Sequence, residues 1–447
     1  MRTNDGENVR GPWLIRSVRV AEPSQDRWAL SDILIDGGKV KKTRPDIPMQ
    51  EAKDQLGDEV QVIRGDGLWA WPGLVDLHVH FREPGHTHKE TMASGSRAAL
   101  RGGYTAVVCE PNTSPPVANA GLVQELAEKA SSETPLKVYF KAAMTKDRRG
   151  QEVGDVESLS RHPKVVALSD DGDPVVSKEV MEEVCQRAAR VGLPLSPHCE
   201  DSGRSVAAYE RGQDPGFSPR SAGCNEAQYV RRDAELALKW GAPAHFSHVS
   251  LPETIETVED LQQRHPDARL TLEVTPHHLL LSADQFSDET PPKVNPPLRS
   301  ESERERVCRA LMRGKIDAIA SDHAPHSEAE KQKGASGFIG LETTLGLILT
   351  HFVHKERISP LVAARYLSTR PAEILGLPAG RIADGGRADL VIIDPDEQWE
   401  VKASEFTSLS QNSPYLGWNI RGRAVGTMID GTLEMIRGSL NERIERP

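Results

Sequence analysis

The sequence predicts an α/β protein, a (β/α)8 TIM-like barrel with a small β-sandwich domain formed by both chain ends. Three observations carry that prediction. Apolar, β-rich runs alternate with segments of helical period through the middle of the chain. There are eight such runs. A texture of short strands and turns is confined to the two ends. Strands that alternate with helices imply a parallel sheet, and eight units over about 300 residues suffice for a closed barrel.

Taken in order, residues 1–72 read as short strands (WLIRSVRVA, DILIDGGKVKK, VQVIRGDGLWA) separated by Gly- and Asp-rich turns. They are expected to form the N-terminal part of the small β domain. The barrel is expected over 73–375. Its strand candidates are LVDLHVH, TAVVCEPN, VYFKAAMT, VVALSDD, LPLSPHCE, AHFSHVS, LTLEVTPHH and IDAIASDHAP. Between them lie helix candidates such as HKETMASGSRAALRGG and SKEVMEEVCQRAARVG, several of which stop at Gly. Residues 376–447 return to strand and turn texture (GRIADGGRADLVIIDP, WEVKA, GTMIDGTLEMIRG) and should complete the small domain.

Composition narrows the function. The 447 residues carry 55 Lys and Arg against 66 Asp and Glu, a net charge of −11, which argues against a nucleic-acid or anionic-membrane partner. No apolar run reaches the ~18 residues of a membrane span. The first residues lack the apolar core of a signal peptide, so a cytoplasmic protein is expected. Five cysteines without a CxxC pair make a disulfide framework or a thiolate zinc site a poor reading.

The chemistry lies at the strand ends. Barrel active sites sit at the C-terminal ends of the strands, and six of the eight runs carry His, Asp or Asn there. The first gives His78 and His80, two residues apart and therefore on one face of a strand. The second ends at Asn112. The fourth gives Asp170 and Asp171, the fifth His198, the sixth His248 and the eighth Asp322. Each alone has an ordinary explanation, as a turn residue or a hydrogen-bonded histidine. Together, imidazoles and carboxylates converging on one barrel mouth would be costly unless paired, and a divalent metal supplies the missing partner. A nitrogen and oxygen donor set without sulfur suits Zn2+, and also Mn2+ or Co2+.

The motifs WPGLVDLHVHFREPG, EPNT, ALSDDG, PHCED, SHVS, VNPPLR and SDHAPH, in that order, resemble the bacterial type I dihydroorotases of the amidohydrolase superfamily. The resemblance runs from about Gly73 to Glu373. It implies two Zn2+ per chain, one held by His78 and His80 with Asp322, the other by His198 and His248, with Asp171 bridging them. Lys141 is the rival for a bridge in carboxylated form, although it stands on a different strand from the superfamily's lysine. Asp322 is the implied catalytic proton carrier. Arg82, Asn112, Asn295 and His326 are the implied substrate contacts, with Ser336 and Gly337 in the loop that closes over substrate.

The implied reaction is the reversible cyclisation of N-carbamoyl-L-aspartate to (S)-dihydroorotate plus water, the third step of de novo pyrimidine synthesis. The alternative is a hydantoinase- or allantoinase-type cyclic amidase. A further rival is an inactive relative that only scaffolds aspartate transcarbamoylase, but such chains lose the metal ligands. The partners the resemblance allows beside the small-molecule substrate are a second copy of the chain and a transcarbamoylase. Two departures from the family pattern stand out. Glu110 occupies a position where the family usually has Met, and Ser336-Gly337 stands where relatives often have Phe-Gly.

Overall fold

The computed structural model describes residues 9–200, 226–286, 292–437, 440 and 442–445. Parallel strands Leu74–Val79, Tyr104–Cys109, Lys137–Ala143 and Val165–Ser169 pair in sequence order, as do Ala244–Phe246, Leu270–Val274 and Ala318–Ile319. Two single bridges join the sets, because Leu195 pairs in parallel with both Leu168 and Ala244. A third, Val79 with His323, joins the first strand to the eighth. The sheet thus closes as an eight-membered barrel.

The fifth strand is much shorter than the run 193–200 suggests. Pro194 and Pro197 flank its one paired stretch, and proline has no N–H to donate to a ladder. The remaining groups still bond both neighbours: Ser196 N–H donates to Leu168 O (2.7 Å) and His245 N–H to Leu195 O (2.8 Å).

The helices begin and end where local chemistry dictates. Thr91 caps Met92–Gly102 by accepting from Ser94 N–H, and Gly103 ends that helix at φ 92°. Asn119 caps Ala120–Glu133, Ser177 caps Lys178–Val191, and Ser300 with Glu303 forms a capping box on Glu301–Met312. Their apolar faces, such as Ala98 and Leu100 or Met181, Val184 and Ala188, join the main core around the strands.

Strands from both chain ends hydrogen-bond into one ten-stranded sheet. Three antiparallel pairings join the two ends: Leu390–Glu400 with Trp69–Pro72, Val9–Arg10 with Thr432–Ile436, and Gln61–Arg64 with Ile444–Glu445. This sheet has its own apolar cluster, including Trp13, Ile33, Ile63, Leu390 and Val425. One detail differs from the sequence reading. Met49–Leu56 is a helix inside a region read as strands only, a run of good helix formers with one buried residue, Ala52. Residues 380–389 hold turns, and the strand begins at Leu390. Among the described residues no helix is long and apolar enough to cross a membrane. The described cysteines are all free and buried, and Cys224 lies outside the described residues.

Candidate metal centre and active site

The six expected ligands meet at the C-terminal mouth of the barrel. His78, near the end of the first strand, lies with Nε2 3.3 Å from Asp171 Oδ1 and 3.6 Å from Asp322 Oδ1. His80 follows that strand and places Nε2 3.2 Å from Asp322 Oδ1. Asp171 stands two residues beyond the fourth strand, and His248 Nε2 and His198 Nδ1 each lie 3.4 Å from its Oδ1. Those two nitrogens are 3.0 Å apart. Two groups have donor atoms all within 4.8 Å of one another: His78, His80 and Asp322, and His78, Asp171 and His248. His78 belongs to both, and Asp171 touches histidines of both halves.

Backbone strain accompanies the arrangement. His248 (φ 35°) and Asp322 (φ 46°) are left-handed, a conformation that costs a non-glycine residue about 1–3 kcal/mol and persists only where the surroundings enforce it.

The residues fit a divalent cation. His78 Nε2 is fully buried without a hydrogen-bond partner, yet it points at two carboxylates. Its other nitrogen, Nδ1, lies 3.1 Å from Glu273 Oε1, so a ring that keeps its proton there can offer Nε2 to a cation. Without the cation, Glu110 and then Asp171 hold His78 protonated against its burial, well above the usual histidine range, and a bound ion would take the place of the second proton. The same logic holds at His80, whose Nδ1–H donates to Asn112 Oδ1 (2.8 Å). Burial would raise the carboxyl of Asp171, but His78, with hydrogen bonds from His198 and His248, holds it well below its usual range. Asp322 is likewise held low against its burial, by His80 and then His78. Both carboxylates are therefore charged and in need of cations. Against its own burial, hydrogen bonds to Asp171 and then Glu200 lift His198 to about 10.

The remaining expected residues are placed as follows. Asn112 is committed to the ligands, since its Nδ2 also donates to Asp171 Oδ2 (2.9 Å). It steadies His80 and Asp171 together. Arg82 is buried, at φ 56°, and its guanidinium donates to Pro325 O (3.2 Å) and meets His326 Nε2 (3.2 Å). Burial pulls Arg82 down to about 10, opposed by Asp322 and Asp171, so the guanidinium stays protonated beside the cluster. Burial and then Arg82 press His326 to about 3, which leaves it neutral at ordinary pH.

Asn295 and Ser336 are half-buried and make no side-chain hydrogen bond among the described residues. Gly337 sits at φ 127°, where an added Cβ would fall 2.6 Å from that of Ala324. Its carbonyl accepts from Lys331 Nζ (2.9 Å) and Asn412 Nδ2 (3.1 Å), which ties the loop down. Asp170 serves the backbone, accepting from Met144 N–H (2.8 Å) and Thr145 N–H (3.2 Å).

A match to the amidohydrolase family covers residues 69–433. The chain belongs to that family. Among its curated amidohydrolase relatives, the dihydroorotase of Aquifex aeolicus is 34% identical over 94% of this chain and 98% of its own. The dihydroorotase of Staphylococcus epidermidis is 37% identical over 90% and 94%. Among solved structures, the L-hydantoinase (dihydropyrimidinase) of Arthrobacter aurescens superposes with a TM-score of 0.85 at 25% identity, covering 96% of this chain and 97% of its own.

Three residues of this amidohydrolase site escape a motif reading. Glu273 orients His78 and also meets His245 Nε2 (3.0 Å). A glutamate inside the apolar run LTLEV was the available signal. Lys89 lies 3.5 Å from His326 Nδ1 and adds a second cation near Arg82. His277 is buried against Phe338, with ring centroids 5.4 Å apart, and its Nε2 has no hydrogen-bond partner among the described residues. Burial and then His278 keep it neutral, well below the usual histidine range.

Proposed function

We infer that this chain is a dihydroorotase, a cyclic amide hydrolase that interconverts N-carbamoyl-L-aspartate and (S)-dihydroorotate plus water. The observation that carries the substrate class is the buried Arg82 guanidinium beside the ligand cluster, with Lys89 behind His326. A planar fork of N–H donors matches a carboxylate, and dihydroorotate carries one where hydantoins do not. Whole-length likeness to dihydroorotases at 34% and 37% identity supports the same reading over the hydantoinase one.

The centre is read as two Zn2+ sites sharing Asp171, one with His78, His80 and Asp322, the other with His198 and His248. Divalent ions held there supply an activated water at neutral pH and polarise the scissile carbonyl. The protein's own residues do the rest. Asp322, ionised and at the edge of the cluster, takes the proton from the nucleophile and delivers it to the leaving nitrogen, and the reverse in ring closure. Asn112 keeps His80 and Asp171 oriented. Arg82 anchors the substrate carboxylate, with His326 as a neutral neighbour, and Asn295 lies on the loop expected to meet the imide. Ser336 and Gly337 belong to the segment over the mouth. A cytoplasmic location is part of this reading.

The test is a substrate panel. Dihydroorotate and N-carbamoyl-L-aspartate should be turned over, with hydantoin and allantoin far slower. Preference for hydantoin would replace this reading with the alternative.

A further inference from the structure

Under the metal centre the barrel interior holds a charge arrangement that the reaction does not use directly. Glu110 follows the second strand, Lys141 lies in the third and Glu273 in the seventh. None of these side chains exposes any surface, and neither does His78. Lys141 Nζ pairs with Glu110 Oε1. Glu110 Oε1 lies 3.6 Å from His78 Nδ1, and Glu273 Oε1 lies 3.1 Å from the same nitrogen. Two carboxylates therefore face one imidazole N–H, with a single ammonium to balance them. Lys141 also feels Glu273 and Asp171. The pair is further notable because Glu110 stands where the family pattern has an uncharged Met.

We propose that Glu110 and Lys141 are one positioning unit, a buried ion pair that holds the charge beneath His78 at the value the metal centre needs. Neither residue touches substrate, and both act through His78. Lys141 is then an ammonium counterion, not a carboxylated ligand. The physical argument is one of compensation. A fully buried charge is tolerated only when paired, whereas replacing both members by apolar groups of similar size is often neutral. Removing Glu110 alone leaves an ammonium under a cation site and should oppose metal binding. Removing Lys141 alone leaves two carboxylates there, which should not.

The proposal rests on the metal-centre reading, and the experiment separates the two. The full chain is prepared metal-free as wild type, Glu110→Met, Lys141→Met and the double variant. Co2+ affinity is measured by chelator competition, and the thermal midpoint of the metal-free protein is recorded. Glu110→Met should raise the Co2+ Kd roughly 10–100-fold, the range expected when support behind a ligand is lost. Lys141→Met should leave it unchanged or lower it. Both single variants should melt earlier than wild type, and the double variant should recover most of both losses.

Glu110→Gln, nearly isosteric, repeats the first arm. If a single variant does not accumulate as folded protein while the double variant does, the unit is supported by that result alone. Equal weakening of Co2+ by both single variants, or a double variant no better than the worse single, would overturn it. Wild type that binds no Co2+ would remove the metal reading, while the melting comparison would still decide whether the two residues act as a unit.

Discussion

The two halves of the ligand cluster are built to different standards. His78 stands in the first strand, and His80 and Asp322 lie just beyond the first strand and the two-residue eighth, Ala318–Ile319, whose ends are joined by the Val79–His323 bridge and by His80 N–H to His323 O at 2.9 Å. Asp76 adds a contact across the same seam, accepting from Ser321 N–H at 3.1 Å. Both rings are steered from behind, His78 by Glu273 and His80 by Asn112. His198 instead follows a strand reduced to Leu195, and His248 follows the three-residue strand Ala244–Phe246. Of their outward nitrogens, His198 Nε2 meets Glu200 Oε2 only at 3.6 Å, and His248 Nδ1 has no hydrogen-bond partner among the described residues. A ligand fixed before binding gives up less freedom when the ion arrives. The first half should hold its ion more tightly and carry the proton transfer, and the second should depend more on the ion for its own order.

The largest expected effect falls on the better-built half. Asp322→Asn retains much of the metal but cannot accept a proton at neutral pH, so turnover in both directions should fall by about 10²–10⁴-fold. If most of the activity survives, Asp322 is a ligand only.

Arg82→Ala comes next. Loss of one charge-assisted contact, about 1.5–3 kcal/mol, should lower kcat/KM for dihydroorotate roughly 10–150-fold. Lys at this position should recover only part of it. Dihydrouracil, which lacks the carboxylate, serves as the control and should hardly change. Equal losses on both substrates would mean that Arg82 supports the centre through Pro325 and His326 instead.

Asn112→Ala sharpens the comparison directly, because it frees His80 and Asp171 at once. Metal affinity should drop about 10–100-fold, mostly at the His78–His80–Asp322 position. An unchanged affinity, read by chelator competition, would show that the steering from behind is unimportant.

The smallest effect is the difference between the halves in the unmodified protein. Stepwise chelation should remove the ion at His198 and His248 first, at a chelator strength lower by about tenfold. His198→Ala should abolish that first step and leave the second in place. Simultaneous loss of both ions would make the two halves equivalent.

Much of this was legible in the sequence because the signals are local. A strand end that carries His-x-His, or an Asp before Gly, declares itself within a few residues, and the alternation of runs gives the barrel. The parts that were not legible depend on distant pairings. Glu273, Lys141 and Glu110 come from three strands and meet only when the barrel closes. Asn112 is among the substrate contacts the resemblance implies, and its bonds to His80 and Asp171, across 32 and 59 residues, have no local signature in the sequence. The fifth strand is shorter than the run 193–200 because Pro194 and Pro197 lack the donors a ladder requires, a signal that is in the sequence but stands against its apolar pattern. The helix Met49–Leu56 was missed because it is mostly exposed and so carries little periodic apolar signal.

The most direct test of the central claim is metal content measured alongside turnover on one preparation of the purified chain. Protein made with zinc available should contain more than one ion per chain, lose dihydroorotate turnover in step with chelation, and regain it when zinc is returned. Full turnover by protein that holds no divalent ion would contradict the account.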